Sequence, residues 1–134
     1  TQNTFNEYTN SSGMGSWNFP TVLLRNMMKS SEFKSTFLER LSYNLNNTWA
    51  YKNVEKRIDE VIDEIGKDEF KKNAERWGNS YSHWEKSIKS MKTFAKNRNS
   101  YVVKYAKSYF NLSSSDVKKY FGDVKWKNIN IDMN

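Results

Sequence analysis

At 134 residues and 15.9 kDa, the chain has the length of one domain and is too short for a multidomain enzyme. It has no Cys, which excludes a disulfide framework, a thiol nucleophile and a thiolate metal site, and its single His excludes a multi-histidine zinc site. Aromatic residues make up 16% of the chain, so large rings must share in building the core. The sequence shows no membrane span and no signal peptide.

The net charge of +7 is unevenly distributed along the sequence. Residues 1–66 carry 7 basic and 8 acidic side chains, whereas residues 67–127 carry 15 and 6. Such a basic half can attract nucleotides, nucleic acid or an anionic surface. A compositional origin is favoured, because the chain has 17 Lys and only 5 Arg, and Arg is the usual residue for bidentate phosphate recognition.

The N-terminal part predicts a leader followed by two helices. Residues 1–16 are rich in Asn, Ser and Gly and have no apolar period, which predicts a flexible leader. Pro20 suits the first turn of a helix that ends near Met28. Ser30 or Ser31 caps the next helix, whose apolar residues recur at helical spacing until the polar residues 46–48.

The middle of the chain predicts three further helices. An amphipathic pattern from Val54 to Ile65 is stopped by Gly66, and a shorter helix from about Asp68 to Trp77 ends before Gly78. The shorter helix turns Phe70, Ala74 and Trp77 inward. Ser82 and Glu85 form a capping box that opens a long helix, with Trp84, Ile88, Met91 and Ala95 inside, and residues 97–100 break it.

The C-terminal part predicts a sixth helix, from Ser100 to Phe110, which Leu112 closes against the core. Residues 113–122 predict one short helical turn, and the apolar residues between Val124 and Ile131 suggest an extended tail or short strand. The fold class is therefore all-α, a single helical domain of about six helices with an extended or short-strand C-terminal tail. Its parts are a leader at 1–16, a helical region at 17–112, and a turn and tail at 113–134.

Two groups of side chains invite a catalytic or metal-binding interpretation that the sequence does not favour. Asp59 with Asp63 and Glu60 with Glu64 are spaced to share a metal ion, but basic neighbours on the same helix indicate an ordinary charged surface. His83 has no evident nucleophile or carboxylate partner, so a surface or capping role is favoured over general-base catalysis. We assign no catalytic residue and no metal ligand.

A basic stripe has no acidic residue between Lys86 and Lys107. Lys89, Lys92 and Lys96 share one helical face, and aromatic residues are interleaved with the stripe, as in sites that bind nucleic acid. Most of these rings also fit the core period, so a solvated helix face is favoured over nucleic-acid binding. The candidate contacts for a nucleotide or a partner, chosen from charge and placement, are Lys72, Arg76, Lys89, Lys92 and Lys96.

The order of short segments resembles the C-terminal helical part of the CotH kinase family, the spore coat protein H-like proteins. Residues 24–37, LRNMMKSSEFKSTF, are similar to the family pattern L-x-N-L-L-x-N-x-E-F-K-x-x-F, and residues 45–49, LNNTW, are similar to L-N-T-T-F. The remaining matches lie in the family's order, and together they cover about residues 17–112: Val54, Arg57 to Glu60, Arg76 to Gly78, Trp84, Phe94 with Arg98, and Tyr101 to Phe110. Two positions depart from the pattern, because Ala50 and Tyr51 stand where a Ser-Pro helix start is common and Asn73 stands where a His is usual.

The resemblance implies an atypical protein kinase that uses ATP and Mg²⁺ or Mn²⁺ to phosphorylate Ser residues of spore coat proteins. It also implies that the catalytic motifs lie upstream of Thr1, in a region that is the first partner of these helices, with Ser-rich coat proteins as substrates. The chain is thus expected to be a fragment, a helical lobe that is inactive alone, from the spore coat or outer spore layers of a spore-forming bacterium. Two other interpretations stay open: a basic module that binds polyanions, and a non-catalytic structural or adaptor domain of the coat.

Overall fold

A computed structural model describes residues 3–9 and 19–122 of the chain. The described residues form seven helices and no strand, which confirms the all-α fold class. In chain order the helices are α1 (Thr4–Thr9), α2 (Phe19–Met27), α3 (Ser31–Asn46), α4 (Tyr51–Ile65), α5 (Lys67–Arg76), α6 (Tyr81–Phe110) and α7 (Ser114–Phe121). The predicted extended tail after Gly122 lies outside the described residues.

The start of α3 and the end of α4 confirm the boundaries that the sequence predicts. The Ser30 hydroxyl accepts the Phe33 backbone N–H and so caps α3 at one of the two predicted serines. Gly66 ends α4 with a φ of +82°, a value that favours glycine because a side chain would strain the backbone there. The turn at Gly66 lets α5 begin at the next residue.

The start of α6 is capped by a different serine from the one predicted. The Ser80 hydroxyl accepts the His83 backbone N–H, so α6 begins at Tyr81 and the capping box proposed for Ser82 and Glu85 is wrong. The spacing of Ser80 to His83 satisfies the third helical N–H without a Glu or Gln at that position. His83 therefore lies in the first turn with an exposed side chain, in keeping with its predicted surface role.

The two last predicted helices are one continuous helix of 30 residues. The predicted break at residues 97–100 is wrong, because this polar stretch contains no Pro or Gly and its side chains find tertiary partners. The Asn99 amide donates to the backbone carbonyls of Leu45 (3.2 Å) and Trp49 (2.9 Å), which fixes the middle of α6 against the end of α3. Asn111, at φ 49° and ψ 50°, then ends α6 in the left-handed conformation.

The described core joins α3, the C-terminal half of α6 and α7. Leu38, Val103 and Phe121 are the largest fully buried side chains. The full set of buried core residues is Leu38, Leu41, Leu45, Val103, Ala106, Phe110, Leu112, Val117 and Phe121. α7 is thus a helix that contributes to the core, whereas the sequence predicts only one short helical turn at residues 113–122. The packed unit continues past residue 112, the predicted end of the helical region. The Ser113–Asp116 capping box holds the start of α7.

The predicted leader contains a helix that packs on this core. Within α1 the ring of Phe5 lies 6.1 Å from Phe37, 5.7 Å from Tyr109 and 5.9 Å from Phe110, measured between ring centroids. The flexible-leader prediction is therefore wrong for Thr4–Thr9, because three aromatic contacts of the partly buried Phe5 ring order a segment whose composition favours mobility. Residues 10–16 of the predicted leader lie outside the described part.

α4 and α5 pack against the N-terminal half of α6 with little full burial. α4 has no buried residue and α5 has only Ala74. The Phe70 ring stacks on Trp84 at 4.1 Å between centroids. Trp77 is 68% exposed and Met91 is 45% exposed, so their predicted inward positions are wrong. Trp77 is the residue that ends α5, where the backbone leaves helical geometry and helical periodicity no longer applies.

Candidate functional site

A shallow groove between α4 and α6 contains three of the five predicted contact residues. Lys89, Lys92 and Lys96 follow one another at intervals of three and four residues, so α6 presents them on one face. The groove has a volume of about 370 Å³. Its lining residues are Tyr51, Glu85, Ile88, Lys89, Lys92, Thr93 and Lys96.

The middle lysine of this groove is held by an ion pair between the two helices. Lys92 Nζ lies 2.5 Å from Asp59 Oδ1, which joins the outer face of α4 to α6. Lys89 and Lys96 have no ion-pair partner among the residues that the structure describes. Two of the three ammonium groups are thus available to an external anion, whereas the charge of Lys92 is partly neutralised.

Tyr51 forms one wall of the groove, and its hydroxyl is fixed by a neighbouring carboxylate. The hydroxyl donates to Glu55 Oε1 at 2.5 Å. This hydrogen bond to Glu55 is the main reason that the pKa of Tyr51 is raised above its ordinary value, and desolvation and the negative charges of Glu55 and Asp59 act in the same direction. Tyr51 is therefore a neutral phenol at physiological pH, and its ring stands beside the lysines.

The two other predicted contact residues lie on α5 and outside the groove lining. Lys72 Nζ pairs with Glu69 Oε1 at 2.7 Å within the same helix, and this hydrogen bond raises the pKa of Lys72. The Arg76 guanidinium lies 5.7 Å from the centroid of the Trp77 ring at the end of α5. Lys72 and Arg76 thus have contacts on their own helix and do not line the groove that contains the α6 lysines.

Glu60 is the α4 carboxylate that forms ion pairs within its own helix, among the described residues. Glu60 lies 3.6 Å from Lys56 Nζ and 3.2 Å from Arg57. Such exposed pairs contribute little to stability. Among residues 3–9 and 19–122, no group of three or more His, Asp or Glu side chains is close enough to hold a metal ion.

A second groove, along α3, was not predicted from the sequence. Phe33, Phe37 and Trp49 give it an apolar surface, with Arg40 and Asn44 as polar members, and its volume is about 530 Å³. Helical spacing predicts that Phe33 and Phe37 are packing residues of α3, but the structure leaves both only half-buried, and Trp49 is 49% exposed. A signal for this groove exists in the sequence, because Trp49 continues the four-residue spacing of Phe33 and Phe37 beyond the polar end of α3.

The α3 groove is continuous with the core on one side. The Phe37 ring lies 6.3 Å from Phe33 in the groove and 5.8 Å from the core residue Phe110. Rings that are anchored in this way keep a fixed position and present a preformed apolar surface. Such a surface can bind an apolar side chain from another segment with little ordering cost.

A family model described as CotH kinase protein matches residues 2–102. The chain belongs to the CotH kinase family. The match confirms the resemblance carried by residues 24–37 and 45–49, and it begins at residue 2, before the first segment that shows the resemblance. None of the curated proteins and no solved structure matches the chain.

The family match includes both grooves but only part of the core. All residues that line the α4–α6 groove and the α3 groove precede residue 102. The C-terminal half of the core, from Val103 to Phe121, follows the matched region.

None of the helices that the structure describes is long and apolar enough to cross a membrane.

Proposed function

We propose that this chain is the helical lobe of a CotH-type atypical protein kinase, whose complete protein transfers phosphate from ATP to Ser residues of spore coat proteins. The family match over residues 2–102 carries the proposal. In this proposal the helices form the C-terminal part of the kinase, as the segment order suggests. The complete protein acts in the spore coat or outer spore layers, with Mg²⁺ or Mn²⁺ as the metal cofactor.

The lobe supports the reaction and does not itself supply the catalytic groups. Phosphoryl transfer requires metal-held phosphates, a positioned base and cationic groups around the transferred phosphate. Among the described residues, no group of three or more His, Asp or Glu side chains is placed to hold a metal ion, and we have assigned no base to His83. The nucleotide, the metal and the catalytic carboxylates therefore belong to the region upstream of Thr1 in our proposal, and we derive no step of the transfer from this chain.

The α3 groove is the surface on which the upstream kinase region docks in this proposal. Its aromatic members Phe33, Phe37 and Trp49 all lie in the two segments that carry the family resemblance. Burying such rings against another segment is favourable by about 25 cal/mol for each Å² of apolar surface removed from water. The upstream region of the same protein is the occupant we choose, because covalent connection gives it a high effective concentration at the groove.

Phosphate transfer with labelled ATP tests the catalytic part of the proposal. The purified 134-residue chain and the longer protein that includes the upstream region are each incubated with Mg²⁺ or Mn²⁺ and a Ser-rich coat peptide. We expect transfer by the longer protein and none by the chain alone. Transfer by the short chain would contradict the assignment of catalysis to the upstream region, and a folded but inactive longer protein would favour the structural or adaptor role.

Two tryptophan variants test the docking part. Trp49→Ala in the longer protein should weaken contact between the lobe and the upstream region and lower the rate of transfer. Trp77→Ala is the matched control, because Trp77 is even more exposed and lies outside the α3 groove. The contact is measured by limited proteolysis at the junction near Thr1. Equal proteolysis of both variants and the parent protein would show that the groove is not the docking surface.

A further inference from the structure

The α4–α6 groove combines an aromatic wall with two lysines that have no ion-pair partner among the described residues. Lys89 and Lys96 are separated by seven residues, a rise of about 10 Å along the helix, with Lys92 between them. Glu85 is the one carboxylate in the lining, so the three lysines outnumber it. Asp59 pairs with Lys92 and Glu55 accepts the Tyr51 hydroxyl, so the cations that the groove leaves for an external anion are Lys89 and Lys96.

The arrangement favours an elongated anion with several charges over a single small one. The two unpaired ammonium groups are on flexible four-carbon stems, and each can bind one end of a ligand that spans the groove. A single carboxylate or phosphate engages one of them at full strength and competes poorly with water and salt. A chain of linked phosphates offers charged oxygens along its whole length and can engage Lys89 and Lys96 together.

We propose that the α4–α6 groove is a binding site for an oligophosphate chain, with Lys89 and Lys96 contacting phosphate oxygens at its two ends. Lys92 lies between them and is paired with Asp59, so it is not one of the two phosphate contacts. The Tyr51 ring, with its hydroxyl committed to Glu55, forms the side wall. The site is separate from the α3 groove and does not depend on the docking of an upstream region.

The phosphate chain has two chemical sources, a free oligophosphate or the phosphates of a nucleotide. The Tyr51 wall distinguishes them, because a nucleotide base can stack on an aromatic ring and a free oligophosphate cannot. Tripolyphosphate and ATP that bind equally well indicate recognition of the phosphate chain alone. Tighter binding of ATP, reduced to the tripolyphosphate level by Tyr51→Leu, indicates a nucleotide. Either result supports the site.

Isothermal titration of the 134-residue chain with sodium tripolyphosphate at low salt tests the proposal. The double variant Lys89→Ala with Lys96→Ala should bind at least about tenfold more weakly, the loss that corresponds to 1.4 kcal/mol. The matched control is Lys104→Ala with Lys118→Ala, which removes the same charge from exposed positions outside the groove. The control should keep the affinity of the parent chain.

Two results would overturn the proposal. An equal loss in both double variants would mean that the basic half attracts phosphate diffusely, and no binding by the parent chain at millimolar tripolyphosphate would mean that the groove is not a site. Circular dichroism establishes that each variant is helical. If the alanine pair loses helicity, Lys89→Gln with Lys96→Gln takes its place and is judged by the same tenfold criterion. None of these readouts involves phosphate transfer, so failure here is distinct from failure of the kinase proposal.

Discussion

Replacing Phe121 with alanine tests whether α7 is an integral part of the fold. The Phe121 side chain is 1% exposed and belongs to the core formed by α3, the C-terminal half of α6 and α7. Removing a fully buried ring costs about 3–5 kcal/mol, because transfer energy is lost and a cavity remains. Domains of ordinary size have an unfolding free energy of about 5–15 kcal/mol, so the loss is a large part of the total.

Urea unfolding followed by circular dichroism measures this loss. With an m-value of about 2 kcal/mol/M, the midpoint should fall by roughly 2 M. Phe94→Ala is the matched control, because Phe94 lies in α6 and is 57% exposed. The control should stay within about 0.5 kcal/mol of the parent chain, as surface substitutions usually do.

The comparison of the two phenylalanine variants has a clear refuting result. If Phe121→Ala and Phe94→Ala lower the midpoint by the same small amount, α7 does not pack against α3 as described. The contact between the Ser35 and Tyr120 hydroxyls, 3.1 Å apart, joins the same two helices. Its removal by Tyr120→Phe should be far milder than Phe121→Ala, since a net hydrogen bond contributes only about 1 kcal/mol.

Other predictions concern the helix ends and the uneven burial. Ser113→Ala should destabilise the chain by about 1 kcal/mol in urea unfolding, because it removes the capping box of α7. Hydrogen bonds from Ser113 lower the pKa of Asp116 below its unfolded value, so the stabilisation from the Asp116 carboxylate is present at neutral pH and should be lost as the pH falls through the folded pKa. Asp116→Asn should therefore reduce the fall of the unfolding free energy at acid pH. Asn111→Gly should raise the unfolding free energy, measured by urea unfolding, by up to about 1 kcal/mol, because glycine adopts the positive φ at this position without side-chain strain. Amide hydrogens of α4 should exchange faster than those of α3, because α4 has no buried residue.

The sequence predicts the helices well wherever one local signal decides the outcome. Ser30 at the start of α3 and Gly66 at the end of α4 act through their own backbone neighbourhood, so both boundaries are confirmed. The sequence pattern fails where a contact with residues distant in the sequence determines the local structure. Asn99 has a side chain that suits a helix break, and its hydrogen bonds to Leu45 and Trp49 hold the helix together across 50 residues of sequence.

The candidate site residues show the same difference between local signals and contacts distant in the sequence. The common face of Lys89, Lys92 and Lys96 follows from helical spacing alone, so the sequence predicts it. The ion pair of Lys92 with Asp59 depends on how α4 packs against α6, and no local pattern reports it. The α3 groove was missed for a related reason, because periodicity identifies Phe33 and Phe37 as apolar but does not show that neighbouring helices leave both half-exposed.

The boundary of the family match and the boundary of the folded unit do not coincide. The match ends at residue 102, within α6, yet six of the nine described core residues follow it. The matched part contains Leu38, Leu41 and Leu45 on α3, which need Val103 and the residues after it as packing partners. The segment after residue 102 therefore acts as the support of α3, and through α3 it holds the groove residues Phe33 and Phe37 in place. A lobe cut at residue 102 should lose cooperative unfolding, whereas one cut after Gly122 should keep it, because every described core residue is then present.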